Sequence, residues 1–213
     1  MAKIKTRQNA ASIDMTAMCD VAFLLLTFFI LTATAKQPEA LPVVTPASTV
    51  QTKLPEKGLI TLTVGKDADK NKVFLGIKDR DLRTKTLELM SDKYQIKFSD
   101  NETAQFELIE EFGVPIQDLK RIIKLSNSDR NKAGVQAGIP LDSLDNQLFD
   151  WIYTARQANS ELDQMDGRGQ LKFAIKGDGQ QEYPQIRKIM DIMQDQDVNN
   201  FSLVTGLRAK PKN

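Results

Sequence analysis

The sequence predicts an α+β protein: a single N-terminal transmembrane helix, then a small domain with a mixed sheet and helices packed on one of its faces. Three observations predict it. Residues 15–35 are 21 residues carrying one charge, Asp20. Residues 58–64, GLITLTV, alternate as a half-buried strand does. Residues 184–196, PQIRKIMDIMQDQ, place Ile186, Ile189, Met190 and Met193 at helical spacing between two strand-like runs, LKFAIKG and NFSLVTG. The chain divides accordingly into a tail (1–14), the helix (15–35), a Pro-rich linker (36–57), an α+β domain (58–206, with 78–140 an insertion of unassigned role) and a basic, disordered end (207–213).

The first helix has the length to cross a bilayer, since about 20 residues at roughly 1.5 Å each match a hydrocarbon core of about 30 Å. Lys3, Lys5 and Arg7 precede it, with no acid before Asp14, so the N-terminus is expected on the cytoplasmic side and the rest outside. A cleaved signal peptide competes with this expectation, because Ala33-Thr34-Ala35 has the small-x-small form of a cleavage site. In that case the chain is a secreted binding module that begins after Ala35. The polar side chains favour the anchor. At about 100° per residue, Thr16, Asp20, Thr27 and Thr34 fall within an arc of roughly 40°. A cleaved segment has no use for such a stripe, whereas a permanent helix beside protein or a hydrated path does. Threonine can bond its own helix carbonyls, which accounts for the hydroxyls and leaves the acid unexplained. A carboxylate at a helix centre costs about 2.5–3.5 kcal/mol to insert, and an intramembrane acid is by default a functional one.

The linker KQPEALPVVTPASTVQTKLP holds Pro38, Pro42, Pro46 and Pro55 and reads as extended, either as a spacer or as a segment that pairs with a partner. GLITLTV and VFLGI form a hairpin around GKDADKNK. Asp67, Asp69 and Asn71 imitate the start of a calcium loop, but Lys72 stands where the loop needs glycine, so a solvated turn is expected. In the middle segment Asn101 is the expected cap of a helix ETAQFELIEEF that Gly113 ends, and Pro115 fits the first turn of PIQDLKRIIKL. Adjacent Glu110 and Glu111 would then point about 100° apart on a wet helix face. From residue 141 to about 165, Leu144, Leu148, Trp151, Ile152 and Ala155 recur at helical spacing, with Trp151 expected in the core.

Composition removes whole classes of chemistry. The 213 residues include no histidine and one cysteine, Cys19, which excludes Ser-His-Asp and Cys-His catalysis, His-ligated zinc and an internal disulfide. With 29 basic and 28 acidic residues, no global charge points to nucleic acid. The Gly177-Asp178-Gly179 turn lacks the spacing of a phosphate loop. No catalytic residue, metal site or cofactor is expected, and a membrane-tethered hydrolase has no nucleophile motif to support it.

The run Asp14-Met15-Thr16-Ala17-Met18-Cys19-Asp20-Val21, followed by AFLLLTFFIL, resembles the ExbD/TolR family of biopolymer-transport proteins. That family opens its helix with Asn/Asp-x-Thr-Pro-x-x-Asp-Val, and Ala17 departs from the usual proline. Residues 54–77 are similar to its first strand pair, and residues 171–206 to its strand-helix-strand ending, including Lys176-Gly177-Asp178 and Tyr183. Together these cover somewhat over half the chain. The resemblance implies an inner-membrane, single-pass subunit with a periplasmic domain and Asp20 as the proton-carrying residue, Thr16, Thr27 and Thr34 being its polar neighbours. It implies an ExbB-like multi-span partner forming a pentameric channel around a homodimer of this chain, and a TonB-like partner that drives outer-membrane import. It also implies partner contacts in the linker, where Leu41, Pro42, Leu54 and Pro55 are the candidates. The TolR branch, which serves envelope constriction, is the near alternative. A flagellar-stator subunit fits less well, since no peptidoglycan-binding domain is recognisable.

Overall fold

The computed structural model describes residues 15–33, 39–48, 55, 57–67, 70–142, 145–167, 169–179 and 183–207. Two compact units divide the chain after Gln37. The first contains helix α1, Met15–Thr32, which is long and apolar enough to cross a membrane. The second contains all the other elements. These are β1 (Ala47–Ser48), β2 (Leu59–Asp67), β3 (Lys70–Ile77), α2 (Arg80–Tyr94), α3 (Asp100–Glu107), β4 (Glu111–Phe112), α4 (Leu119–Ile123) behind a 3-10 turn, α5 (Asn127–Arg130), α6 (Gln147–Asp166), β5 (Lys172–Gly177), α7 (Tyr183–Gln194), β6 (Phe201–Leu203) and β7 (Gly206–Leu207).

Five strands form a mixed sheet in the order β4-β3-β2-β5-β6. The β2–β3 hairpin is antiparallel from Ile60↔Ile77 to Asp67↔Lys70, while β5 lies parallel to β2 and β6 parallel to β5. Alternation along the strands sends Ile60, Leu62, Val64, Val73, Leu75, Ile77, Phe173 and Ile175 to one face, where they join a single apolar core. Helices cover that face through Leu82, Leu87 and Met90 of α2, Leu148, Trp151, Ile152 and Ala155 of α6, and Ile189 and Met193 of α7. Trp151 is fully buried, edge-on to Phe112 with ring centroids 4.9 Å apart and stacked on Phe106 at 6.4 Å.

The chain departs from its sequence expectation in three places between residues 99 and 147. Ser99 caps α3, not Asn101: its hydroxyl accepts from the Glu102 amide, and the Glu102 carboxylate accepts from the Ser99 amide. The helix then ends at Leu108 and the chain turns into a strand, so Glu110 and Glu111 are not on a helix face at all. Glu111 pairs with Gly76 and Phe112 with Leu75, extending the sheet. The long helix begins at Gln147, where the Asn146 side chain accepts from the Phe149 amide, rather than at 141. Leu144 lies outside the described residues. At its far end Gly167, at φ 62°, closes α6 in the left-handed conformation that glycine adopts without strain.

Inside the domain, Arg83 of α2 holds 78–140 to the sheet. It is 1% exposed, and its guanidinium donates to the carbonyls of Ile77, Lys78 and Glu107. Burial, the largest influence, lowers its pKa from the free value. The hairpin turn is not simply solvated. Lys72 is buried, and its ammonium donates to the Asp67 carboxylate and the Gln136 carbonyl, while Asp67 also accepts from the Gly134 amide.

Candidate functional site

Two regions hold the residues that the sequence singled out. In α1 every described residue is exposed, including Phe23, Leu24, Phe28, Phe29 and Leu31. A helix this apolar on most of its circumference, and left uncovered among the described residues, is suited to an apolar surround with its one polar side turned elsewhere. Its 18 residues span roughly 27 Å, close to a hydrocarbon core of about 30 Å. Asp20 lies in its second turn, and on regular helix geometry Thr16 and Thr27 share its side within roughly 40°. The Thr27 hydroxyl donates to the Leu24 carbonyl at 3.0 Å, and Thr32 does the same to Phe28 at 2.7 Å. These threonines therefore satisfy themselves within the helix, as hydroxyls in an apolar setting must. Thr34 lies outside the described residues.

The second region is the linker. Residues 39–48 lie as a strap over the sheet face opposite the helices. Glu39 pairs with Lys176 of β5 at 2.5 Å. Leu41 is 2% exposed, and Val43 packs over Gly65 so closely that a Cβ there would lie 2.6 Å from Val43 Cγ1. The Gly179 amide donates to the Val44 carbonyl at 2.7 Å, and Ala47–Ser48 pair in parallel with Gly206–Leu207. The predicted extended conformation is thus used to dock on the chain's own domain. Of the linker residues predicted to touch a partner, Leu41 faces the sheet, Pro42 is exposed, Pro55 is half-buried, and Leu54 lies outside the described residues. Leu207, expected in a disordered end, is in β7.

Sequence reasoning missed the groups beneath the strap. Thr63 sits across from Phe74 on one side and Lys176 on the other, and Gly76 lies between Thr61 and Glu111. Burial pushes the Glu111 carboxyl above the usual carboxylate range; the Thr63 hydroxyl and Lys176 act against this, while Glu39 and Glu110 add to it. The one sequence signal for this face was the alternation of Leu41, Val43 and Thr45, which is strand-like but interrupted by proline. Elsewhere, a groove of mixed character and about 450 Å³ opens between α6 and the loops before β5 and β6, with Arg156, Asn159 and Asp163 on one wall. Among the described residues no three His, Cys, Asp or Glu side chains converge on a site of metal-binding size.

The family model for the biopolymer transport protein ExbD/TolR matches residues 6–207, from the basic tail through α1 to the last strand. The chain belongs to the ExbD/TolR family. The match runs from one side of residues 78–140 to the other and is wider than the blocks whose resemblance the sequence carried. No curated protein and no solved structure gives a significant match. ExbD/TolR proteins are accessory proteins of biopolymer transport with a TonB- or Tol-type energising role; they are anchored by one N-terminal apolar helix and generally work with ExbB/TolQ and TonB/TolA-type partners.

Proposed function

We propose that this chain is the ExbD-type subunit of a proton-driven motor in the inner membrane, with α1 crossing the bilayer, the N-terminus cytoplasmic and the sheet domain periplasmic. Asp20 is the proton-carrying residue, with Thr16, Thr27 and Thr34 as its polar neighbours. The observation that carries this is one carboxylate within an otherwise uncharged apolar helix of an ExbD/TolR chain. A charged Asp20 is held by polar or hydrated surroundings and a neutral one tolerates apolar ones, so each protonation step changes which environment of the helix is favoured. One elementary charge moved through 100 mV yields about 2.3 kcal/mol, enough to bias a rotation or a slide of the helix. The multi-span ExbB-like partner supplies the hydrated path, as a pentamer around two copies of this chain. A TonB-like protein receives the work, with linker contacts at Leu41, Pro42, Leu54 and Pro55. Contact at Leu41 requires the strap to leave the sheet.

The test is Asp20→Asn beside Asp20→Glu, at normal protein levels. Uptake that depends on the proton gradient should vanish in the first and persist in part in the second; full uptake in Asp20→Asn overturns the assignment. Because the matched family joins two branches, the process lost tells them apart: nutrient import for the ExbD role, envelope integrity for the TolR role. A native protein whose first residue is Lys36 would exclude both and restore the secreted-module reading.

A further inference from the structure

The strap-covered face of the sheet contains an acid that the motor chemistry above does not use. Phe112 is in the core, so its neighbour Glu111 points to the opposite face, at the edge of the sheet beside Gly76. Glu111 Oε1 and the hydroxyl oxygen of Thr63 are both buried; the hydroxyl is near enough to favour the charged carboxylate, yet among the described residues neither atom makes a hydrogen bond of normal geometry. Thr63 is 1% exposed. Glu111 as a whole is half-buried, and a carboxylate with one oxygen buried and unsatisfied is costly when charged and less so when protonated. The charged groups around it are Lys176 from β5, Glu39 from the strap and Glu110 from its own segment. Lys176 is the one cation in this set, and the strap's Glu39 holds it at 2.5 Å. The strap therefore closes through an ion pair whose cation a second, half-buried acid would also attract.

We propose that Glu111 is a proton-responsive site governing how firmly the 39–48 strap lies on the sheet. Neutral Glu111 leaves Lys176 to Glu39 and the strap stays closed. Ionised Glu111 draws on Lys176, repels Glu39 and favours the open strap, in which water reaches its carboxylate. The closed form holds the Glu111 proton more tightly than the open form. Closure is therefore complete below the ordinary carboxylate range and weakens as pH rises through the raised value, changing the open-to-closed ratio by at most about tenfold per pH unit. This device stands on the domain alone and does not require Asp20 to carry protons.

The experiment is amide hydrogen exchange on the full chain in detergent. The reporter is the Gly179 amide, which donates to Val44 in the strap; β5 core amides in the same sample remove the intrinsic pH dependence of exchange. In the native protein, relative exchange at Gly179 should rise, by up to about tenfold per unit, as pH climbs above the ordinary carboxylate range. Glu111→Gln should flatten that profile at the protected level. Thr63→Val, which makes the site more apolar with little change of shape, should move the rise to higher pH. A flat native profile, an unchanged profile in Glu111→Gln, or no displacement in Thr63→Val would each overturn the proposal.

Discussion

The two faces of the central sheet are built from the same strands by different physics. The helix-packed face presents Ile60, Leu62, Val64, Val73, Leu75 and Ile77, and its partners on α2, α6 and α7 are fixed by volume and apolar area. The strap-covered face presents Thr63, Gly65, Lys72, Phe74, Gly76 and Lys176, with Glu111 at the edge. There the chain is held by an ion pair, single hydrogen bonds and the close approach that Gly65 permits. A residue on the first face should act on the stability of the whole domain. One on the second should act locally, and with pH.

The sharpest break comes on the helix face. Trp151→Ala removes a fully buried ring packed against both Phe106 and Phe112 and should cost about 3–5 kcal/mol, read by far-UV circular dichroism in urea. Trp151→Phe should cost less, because among the described residues the indole nitrogen has no hydrogen-bond partner to lose. On the strap face, Gly65→Ala drives a methyl group against Val43 and should cost about 1–2 kcal/mol. Its main effect should be fast exchange at the Gly179 amide, with the β5 core amides unchanged. Equal losses of protection on both faces would show that the strap is part of the core.

The smallest effect is expected at the hairpin end of the strap face. The Asp67 carboxyl is held below its ordinary value of 3.8, chiefly by the hydrogen bond from Lys72; burial opposes this, and the Gly134 amide and the charge of Lys72 assist. A depressed carboxylate stabilises the fold above its unfolded pKa and loses that contribution as pH falls through the folded value. Asp67→Asn should therefore lower stability by about 1 kcal/mol at neutral pH, with the difference from the native chain closing in acid. A gap that persists below the folded value would place the effect in packing rather than charge.

The same contrast explains what the sequence made legible. The helix face announces itself locally: strict alternation in GLITLTV, helical spacing around Trp151, and Pro184 in the first turn of α7. The strap face depends on residues far apart in the chain, such as Glu39 with Lys176, Val43 with Gly65, and Gly76 with Glu111. No window of neighbouring residues contains those pairs. The misplacement of Glu111 has a narrower cause. FELIEEF carries a helical pattern, but the capping box Ser99-x-x-Glu102 starts the helix earlier than Asn101 would, and edge pairing with β3 overrides propensity after Leu108. Asp20 was visible because a charge among apolar residues needs no partner to be noticed.

The parallel pairing of β1 with β7 also has a mechanical side. Tension entering the second unit from its N-terminal end would meet the Glu39–Lys176 pair, then Leu41, then the Val44–Gly179 bond, and only afterwards the two-residue ladder. Fastenings arranged one after another fail one at a time, each at a small force. Until the slack from residue 39 to residue 58 had run out, roughly 60 Å when fully extended, the five-stranded sheet would bear no more than each fastening carries, and only then would the pull reach it through Leu59. Under such a pull the strap would act as a fuse with travel, giving length at low force and limiting what reaches the folded domain.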